Sequence, residues 1–135
     1  MRSSPYLKTH PIGRITGADG GYMIEGDRYI PDVAFISVKK QPQPSRAAFN
    51  PIAPDLAVEV LSPGNTDREM RIKVANYLKA AVLLWVVDPD QKRVEVYQAG
   101  KAVQIAMIDD TLTGVDVLPG FTLAVKDIFP VEAVE

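Results

Sequence analysis

A chain of 135 residues, 47% apolar and 24% charged, has the material for one domain with its own core. It has neither the polarity of a disordered segment nor the apolarity of a membrane protein. A net charge of −2 supplies no general basic field, so a nucleic-acid partner must be met by a local basic patch or a bridging metal ion. There is no cysteine, which removes disulfides and thiolate metal sites and is compatible with an intracellular location.

The longest apolar run, Ala80–Val87, is too short to cross a bilayer, and the N-terminal stretch lacks the apolar centre of a signal peptide. The expectation is a soluble, cytoplasmic protein with no membrane partner. No repeat of solenoid length is present.

In chain order, residues 3–10 read as the end of a helix broken at Pro11. The stretch GRITGADGGYMIEGDRYI alternates short apolar runs with Gly and Asp turns and predicts an N-terminal β-hairpin. Asp32–Ser37 is a strand. The next segment, VKKQPQPSRAAFNPIAP, holds four prolines and predicts a long surface loop. DLAVEVL is the next strand.

From Thr66 the period changes. Thr66 and Glu69 match a capping box, and Met70, Val74, Tyr77, Leu78 and Ala81 recur at helical spacing as a buried stripe. VLLWVVDP has no polar alternation and predicts a central strand. KRVEVYQ and KAVQIAMI flank the turn AGK as a C-terminal β-hairpin, and LPGFTLAVKDIFP supplies a last strand and a final helical turn. The fold class is mixed α/β (α+β), a single domain over 1–135.

The strand from Asp55 to Leu61 poses the chemical question. Side chains alternate, so Leu56, Val58 and Val60 line one face, and Asp55, Ala57, Glu59 and Leu61 the other. An unpaired charge inside a sheet is costly, so Glu59 needs a partner, a metal or a proton. If the strand opened by Asp32 is its neighbour, the two carboxylates can meet within about 6 Å. With a backbone carbonyl and waters they would suit a hard cation such as Mg²⁺. Equally, Asp32 after Pro31 suits a strand-end or turn cap, and Glu59 a basic partner.

Lys73 lies about two turns into the helix, on the border of the buried stripe. It can reach the sheet to orient a phosphate or water, or it can pair with Glu69 one turn away. Asp67 is a dipole-stabilising helix starter or an outer metal partner. Asp55 lies about 13 Å from Glu59 along the strand and reads as a turn residue, as does Asp88. Trp85 reads as core. His10 is the only histidine, so no histidine metal cluster or Ser–His–Asp triad can be built, and no Gly-rich phosphate loop is present.

These residues resemble a known family. RYIPDVAFIS, PDLAVEVLSPGNTDREMRIKVANYLKAAVLLWVVDP, VEVY and LPGFTLAVKDIF are similar to the Uma-type restriction endonuclease family of the PD-(D/E)XK nuclease superfamily. The resemblance implies a restriction-endonuclease-like mixed β-sheet flanked by helices, with a site at one sheet edge. It implies that Asp32 is the PD aspartate and Glu59 the second acidic residue. The usual lysine position is Leu61 here, and Lys73 on the helix takes its place. It further implies Mg²⁺ or Mn²⁺ held by Asp32, Glu59 and the carbonyl of Val60, DNA as substrate, and a homodimer.

Lys39, Lys40, Arg46, Arg68 and Arg71 are candidate phosphate contacts. The family's N-terminal helical segment with its acidic residue is shortened here, which predicts a weaker metal site. The expected function is a metal-dependent endonuclease. The competing expectation is an inactive nuclease-fold module that binds DNA or protein.

Overall fold

The computed structural model describes residues 5–129. The chain runs α1 (Pro5–Thr9), β1 (Gly13–Thr16), β2 (Gly21–Ile24), β3 (Asp27–Tyr29), β4 (Val33–Ser37), β5 (Phe49–Asn50) and β6 (Leu56–Val60). It continues through α2 (Asp67–Lys79), β7 (Leu83–Asp88), β8 (Arg93–Tyr97), β9 (Gln104–Ala106), β10 (Thr111–Gly114) and β11 (Leu118–Ala124) to a 3-10 turn at Val125–Asp127.

A six-stranded sheet, in the order β1-β4-β6-β7-β8-β9, organises the domain. Only β6 and β7 run parallel, and α2 is the crossover between them. β7 is buried from Leu83 to Val87, which is why its sequence shows no alternation. Leu84 and Val86 meet Tyr77 of α2 on one face. Leu83, Trp85 and Val87 face Leu112, Leu118 and Val125 on the other. Thus one face carries a helix and the other the hairpin β10–β11, with Tyr6 and Leu7 of α1 packed against it.

Helix α2 begins as its sequence predicts: the Thr66 hydroxyl accepts the Glu69 N–H at 3.1 Å. Tyr77 is wholly buried, whereas Met70, Val74 and Leu78 are half-buried. These three line an open groove shared with Val86, Glu95 and Tyr97, because α2 leaves this part of the sheet uncovered. Ala81 does not join the stripe. It is exposed, with φ +60°, and reverses the chain after the helix.

Of three further expectations, both hairpins stand with altered extents and the loop is corrected. The N-terminal hairpin is β2–β3, while β1 leaves it to pair with β4 at the sheet edge. The proline-rich segment is not wholly a surface loop: β5 pairs parallel to β2, and Gln41 and Asn50 are buried and exchange side-chain amide hydrogen bonds at 2.8 and 2.9 Å. The C-terminal hairpin β8–β9 is present in register, but a second hairpin, β10–β11, follows it. Weak alternation in TLTG hides β10, whose register slips beside Gly114.

Candidate functional site

The site sits where β6 ends and α2 begins to cover the sheet. Strands β4 and β6 are antiparallel, with Val33 opposite Val58. One residue further on, Asp32 stands opposite Glu59. Ala57 and Leu61 belong with the cluster under α2, and Leu56 and Val58 with the opposite face, so Glu59 points towards the helix. It is 6% exposed.

Two donors from α2 meet the buried carboxylate. The Tyr77 hydroxyl donates to Oε2 at 2.7 Å, and the Lys73 ammonium lies 3.3 Å from Oε1. Lys73 and Tyr77 are one turn apart, so the helix presents both to one point. Tyr29 stacks on Tyr77 with ring centres 5.5 Å apart, and Lys73 Nζ sits 5.6 Å from the Tyr29 ring centre. Asn76 ties this side together, donating to the Tyr29 hydroxyl at 2.8 Å and to the Asp27 carboxylate at 2.9 Å.

Burial pushes the Glu59 carboxyl above its ordinary range. The Tyr77 hydrogen bond and the Lys73 ammonium draw it back, and the Asp32 charge adds an upward push that is the smallest of these effects. Carboxylate crowding is therefore not the main cause of the shift. The Tyr77 phenol is pushed far up, first by burial and then by the Glu59 charge.

Asp32 is exposed, and its Oδ2 accepts the Val60 N–H at 2.7 Å. It therefore caps the end of β6 while facing Glu59. The neighbouring backbone has an unusual feature. Leu61 N–H donates to Val87 of β7, so Val60, one residue back, turns its own polar groups towards β4. The β4–β6 register, continued, places Pro31 opposite Val60. Proline has no N–H, so the ladder cannot close onto the Val60 carbonyl. Two carboxylates and the Val60 carbonyl are thus the oxygens that this end of the strand pair could offer a cation. Among the described residues no group of three or more His, Asp or Glu side chains gathers to hold a metal.

The other candidates are dispersed. Lys39 and Lys40 follow β4, at the far end of the β4–β6 pair from Asp32, and Lys40 Nζ reaches the Pro54 carbonyl at 3.5 Å. Arg46 is exposed in the segment beyond them. Arg68 and Arg71 lie on the first turns of α2, exposed, with Arg71 and Asp67 on the groove beside β8. Asp55 accepts the Ser37 N–H at 2.6 Å, and Asp88 accepts the N–H groups of Asp90 and Gln91, both at 3.1 Å. Trp85 is core. His10 stacks on Tyr6 with ring centres 4.2 Å apart. The cluster lies at the end of β6, an interior strand, rather than at a lateral sheet edge. Tyr77, counted only as core by its spacing, is the missed member. Its place one turn after Lys73 was the available signal.

A mixed sheet with a crossover helix over the acidic strand defines a nuclease-like α/β fold. A crystal structure of a "putative nuclease" of the DUF820 family from Anabaena variabilis shares it, with a TM-score of 0.79, at 22% identity over 92% of this chain and 72% of that one. The profile of the Uma2 family, described as "Putative restriction endonuclease", matches residues 3–126, and the chain belongs to that family. No curated protein matches the sequence. No helix among the described residues is long and apolar enough to cross a membrane.

Proposed function

We propose that this domain is a metal-dependent nuclease that hydrolyses nucleic-acid phosphodiesters, with DNA as the substrate. The observation that carries the reading is the buried Glu59 carboxylate, facing Asp32 and held between Lys73 and Tyr77. A sheet that needed only stability would be served as well by an apolar residue at that position.

Asp32, Glu59 and the Val60 carbonyl suit a hard divalent cation, Mg²⁺ or Mn²⁺, with water completing its shell. Such an ion, when bound, supplies an acidic water and neutralises phosphate charge. Tyr77 fixes Glu59 Oε2 and so sets the orientation of the carboxylate. Lys73 balances the Glu59 charge and is free to turn its ammonium to a phosphate oxygen. Asp32, tied to the Val60 N–H through one oxygen, keeps the other for the site.

A second reading is favoured by one feature: both Glu59 oxygens already have protein donors. On that reading the cluster is a closed structural network in a module that binds nucleic acid or protein without cutting. Supercoiled plasmid incubated with the chain, with Mg²⁺, Mn²⁺ or chelator, separates the two. Metal-dependent nicking that disappears in Glu59→Gln is expected. Equal nicking by both proteins, or none from folded wild type, defeats the nuclease reading.

A further inference from the structure

We infer that the cavity around Arg14, away from Glu59, is a binding site for a phosphate group. The cavity measures about 260 Å³. Arg14 and Thr16 of β1 and Ile36 of β4 line it on the side of the six-stranded sheet, and Tyr22 of β2, Asn50 of β5 and Gln41 close it from above. Ile15 packs into the core on one face of that sheet, so Arg14 stands on the other.

The polar groups here are unevenly satisfied. Gln41 is 7% exposed and Asn50 9%. Gln41 Oε1 accepts from Asn50 Nδ2 at 2.8 Å and from Arg14 Nη2 at 3.3 Å. Asn50 Oδ1 accepts from Gln41 Nε2 and from the Ile52 N–H, both at 2.9 Å. Each amide oxygen therefore has two donors, and the Arg14 and Ile52 donors fix which end of each amide is oxygen. Each amide nitrogen carries two N–H groups and has an acceptor for one.

Arg14 is in a similar state. Its Nη2 also donates to the Gln41 carbonyl at 2.7 Å, which fixes the guanidinium, but among the described residues Nε and Nη1 have no acceptor. The ion pairs of the described residues are made by Lys73 and Arg93, so no carboxylate neutralises this half-buried cation. The one carboxylate on the lining, Asp19, is exposed and its charge is screened by water.

A cavity whose acceptors are spent and whose donors are spare suits an oxyanion. A tetrahedral phosphate offers oxygens in several directions, to the guanidinium on one wall and the amide N–H groups on the other. A carboxylate offers two in one plane. Arg14 lies opposite Ile36, four residues from Asp32, so the cavity stands about 13 Å from Asp32 along β4. Exposed Arg46, dispersed from Glu59, sits between Ser45 and Ala47 of the cavity lining and adds positive charge at its mouth. Only the source of the phosphate rests on the nuclease reading: a phosphodiester of a bound strand, or a free phosphate compound.

An NMR titration of the ¹⁵N-labelled full chain in chelator tests the proposal, with inorganic phosphate and a short DNA strand as probes and acetate at equal ionic strength as control. Phosphate is expected to shift the side-chain amide signals of Gln41 and Asn50 and the Arg14 Nε–H, saturably. DNA that saturates them at about a tenth of the phosphate concentration or less assigns the source to a strand; weaker binding of DNA assigns it to a free phosphate compound. Arg14→Gln should weaken phosphate binding about tenfold or more. Because Arg14 also holds the Gln41 carbonyl, exposed Ala47 supplies variants that leave that contact intact. Ala47→Glu should weaken binding and Ala47→Lys strengthen it, opposite signs that a disturbed fold cannot give. Glu59→Gln should bind phosphate as wild type does, so nicking can fail while this site stands. No shift with either probe overturns the proposal. So do equal shifts with acetate, unchanged binding in Arg14→Gln, the same effect from both Ala47 variants, or loss of binding in Glu59→Gln.

Discussion

Asp32 and Asp55 stand at opposite ends of one strand pair and hold it in the same way. Each follows a fully buried proline, Pro31 or Pro54. Asp32 accepts the N–H of Val60, the last residue of β6, at 2.7 Å; Asp55 accepts the N–H of Ser37, the last residue of β4, at 2.6 Å. Each strand is closed by the aspartate that opens its neighbour. What separates them is company, because Glu59, Lys73 and Tyr77 gather only at the Asp32 end.

That difference sets the first prediction. Asp55→Ala should cost about 1–2 kcal/mol of stability, the worth of a charge-assisted hydrogen bond, and leave nicking per folded molecule unchanged. Asp32→Ala, at an exposed position, should cost less stability and abolish nicking. Urea unfolding and plasmid assays on both variants decide it. Equal loss of activity in the two would reduce Asp32 to a strand cap.

Tyr77→Phe tests the anchor of Glu59. The variant keeps the ring against Tyr29 but strips Glu59 Oε2 of its donor in a buried place, at a cost of about 1–3 kcal/mol. It should also push the Glu59 carboxyl still higher, since the phenol lowers it now. In a Glu59→Gln background the same change should cost less, because no buried anion is left unpaired. Thermal melts of the four proteins give the coupling directly. Strict additivity would mean that the hydroxyl does not stabilise the carboxylate.

The central unit was legible in the sequence because its signals agree. β4, β6, α2 and β7 combine Pro–Asp entries, a capping box, a clear helical period and an unbroken apolar run. β5 and β10 were not, since two- and four-residue strands are set by tertiary neighbours rather than by pattern. The alternation of faces placed Glu59 with Ala57 and Leu61, and only the structure shows that this face lies under α2. The partner of Lys73 was not legible in the same way. Helical spacing offers Glu69, one turn back on the same helix, whereas no spacing rule points to Glu59 on the sheet, and only the way α2 lies on β6 chooses Glu59. The Tyr77 hydroxyl was hidden for a related reason: its ring satisfies the apolar stripe and leaves no trace of what its oxygen meets.

The pH dependence has a definite sign. Burial raises the Glu59 carboxyl by more than Tyr77 and Lys73 lower it. A carboxyl raised on folding contributes its stability in full below the unfolded pKa and loses it as pH rises through the folded pKa. Gln at 59 has no such titration. The Tm of Glu59→Gln minus that of wild type should therefore grow from about pH 4 to pH 8 in metal-free buffer. A difference that shrinks over that range would mean that Lys73 and Tyr77 more than offset the burial of the charge.

Lys73→Ala separates a cation site from a closed ion pair. The Lys73 ammonium and a bound divalent cation would neutralise the same carboxylate, so each weakens the other's hold on Glu59. Without metal, the variant leaves a buried carboxylate with Tyr77 as its remaining side-chain donor and should lose about 1–3 kcal/mol, less than a fully buried pair because the lysine is 24% exposed. Mg²⁺ should then return much of that loss, giving a larger Mg²⁺-induced rise in Tm than in wild type. Nicking at saturating Mg²⁺ should still fall by about ten- to a hundredfold, because in the proposed mechanism the ammonium would meet the phosphate as charge develops there. Melting curves and nicking rates across a Mg²⁺ titration read both quantities from the same samples. A Mg²⁺ effect equal to or smaller than that of wild type would show that Glu59 holds no metal. A larger Mg²⁺ effect with unchanged nicking would confine Lys73 to balancing the Glu59 charge.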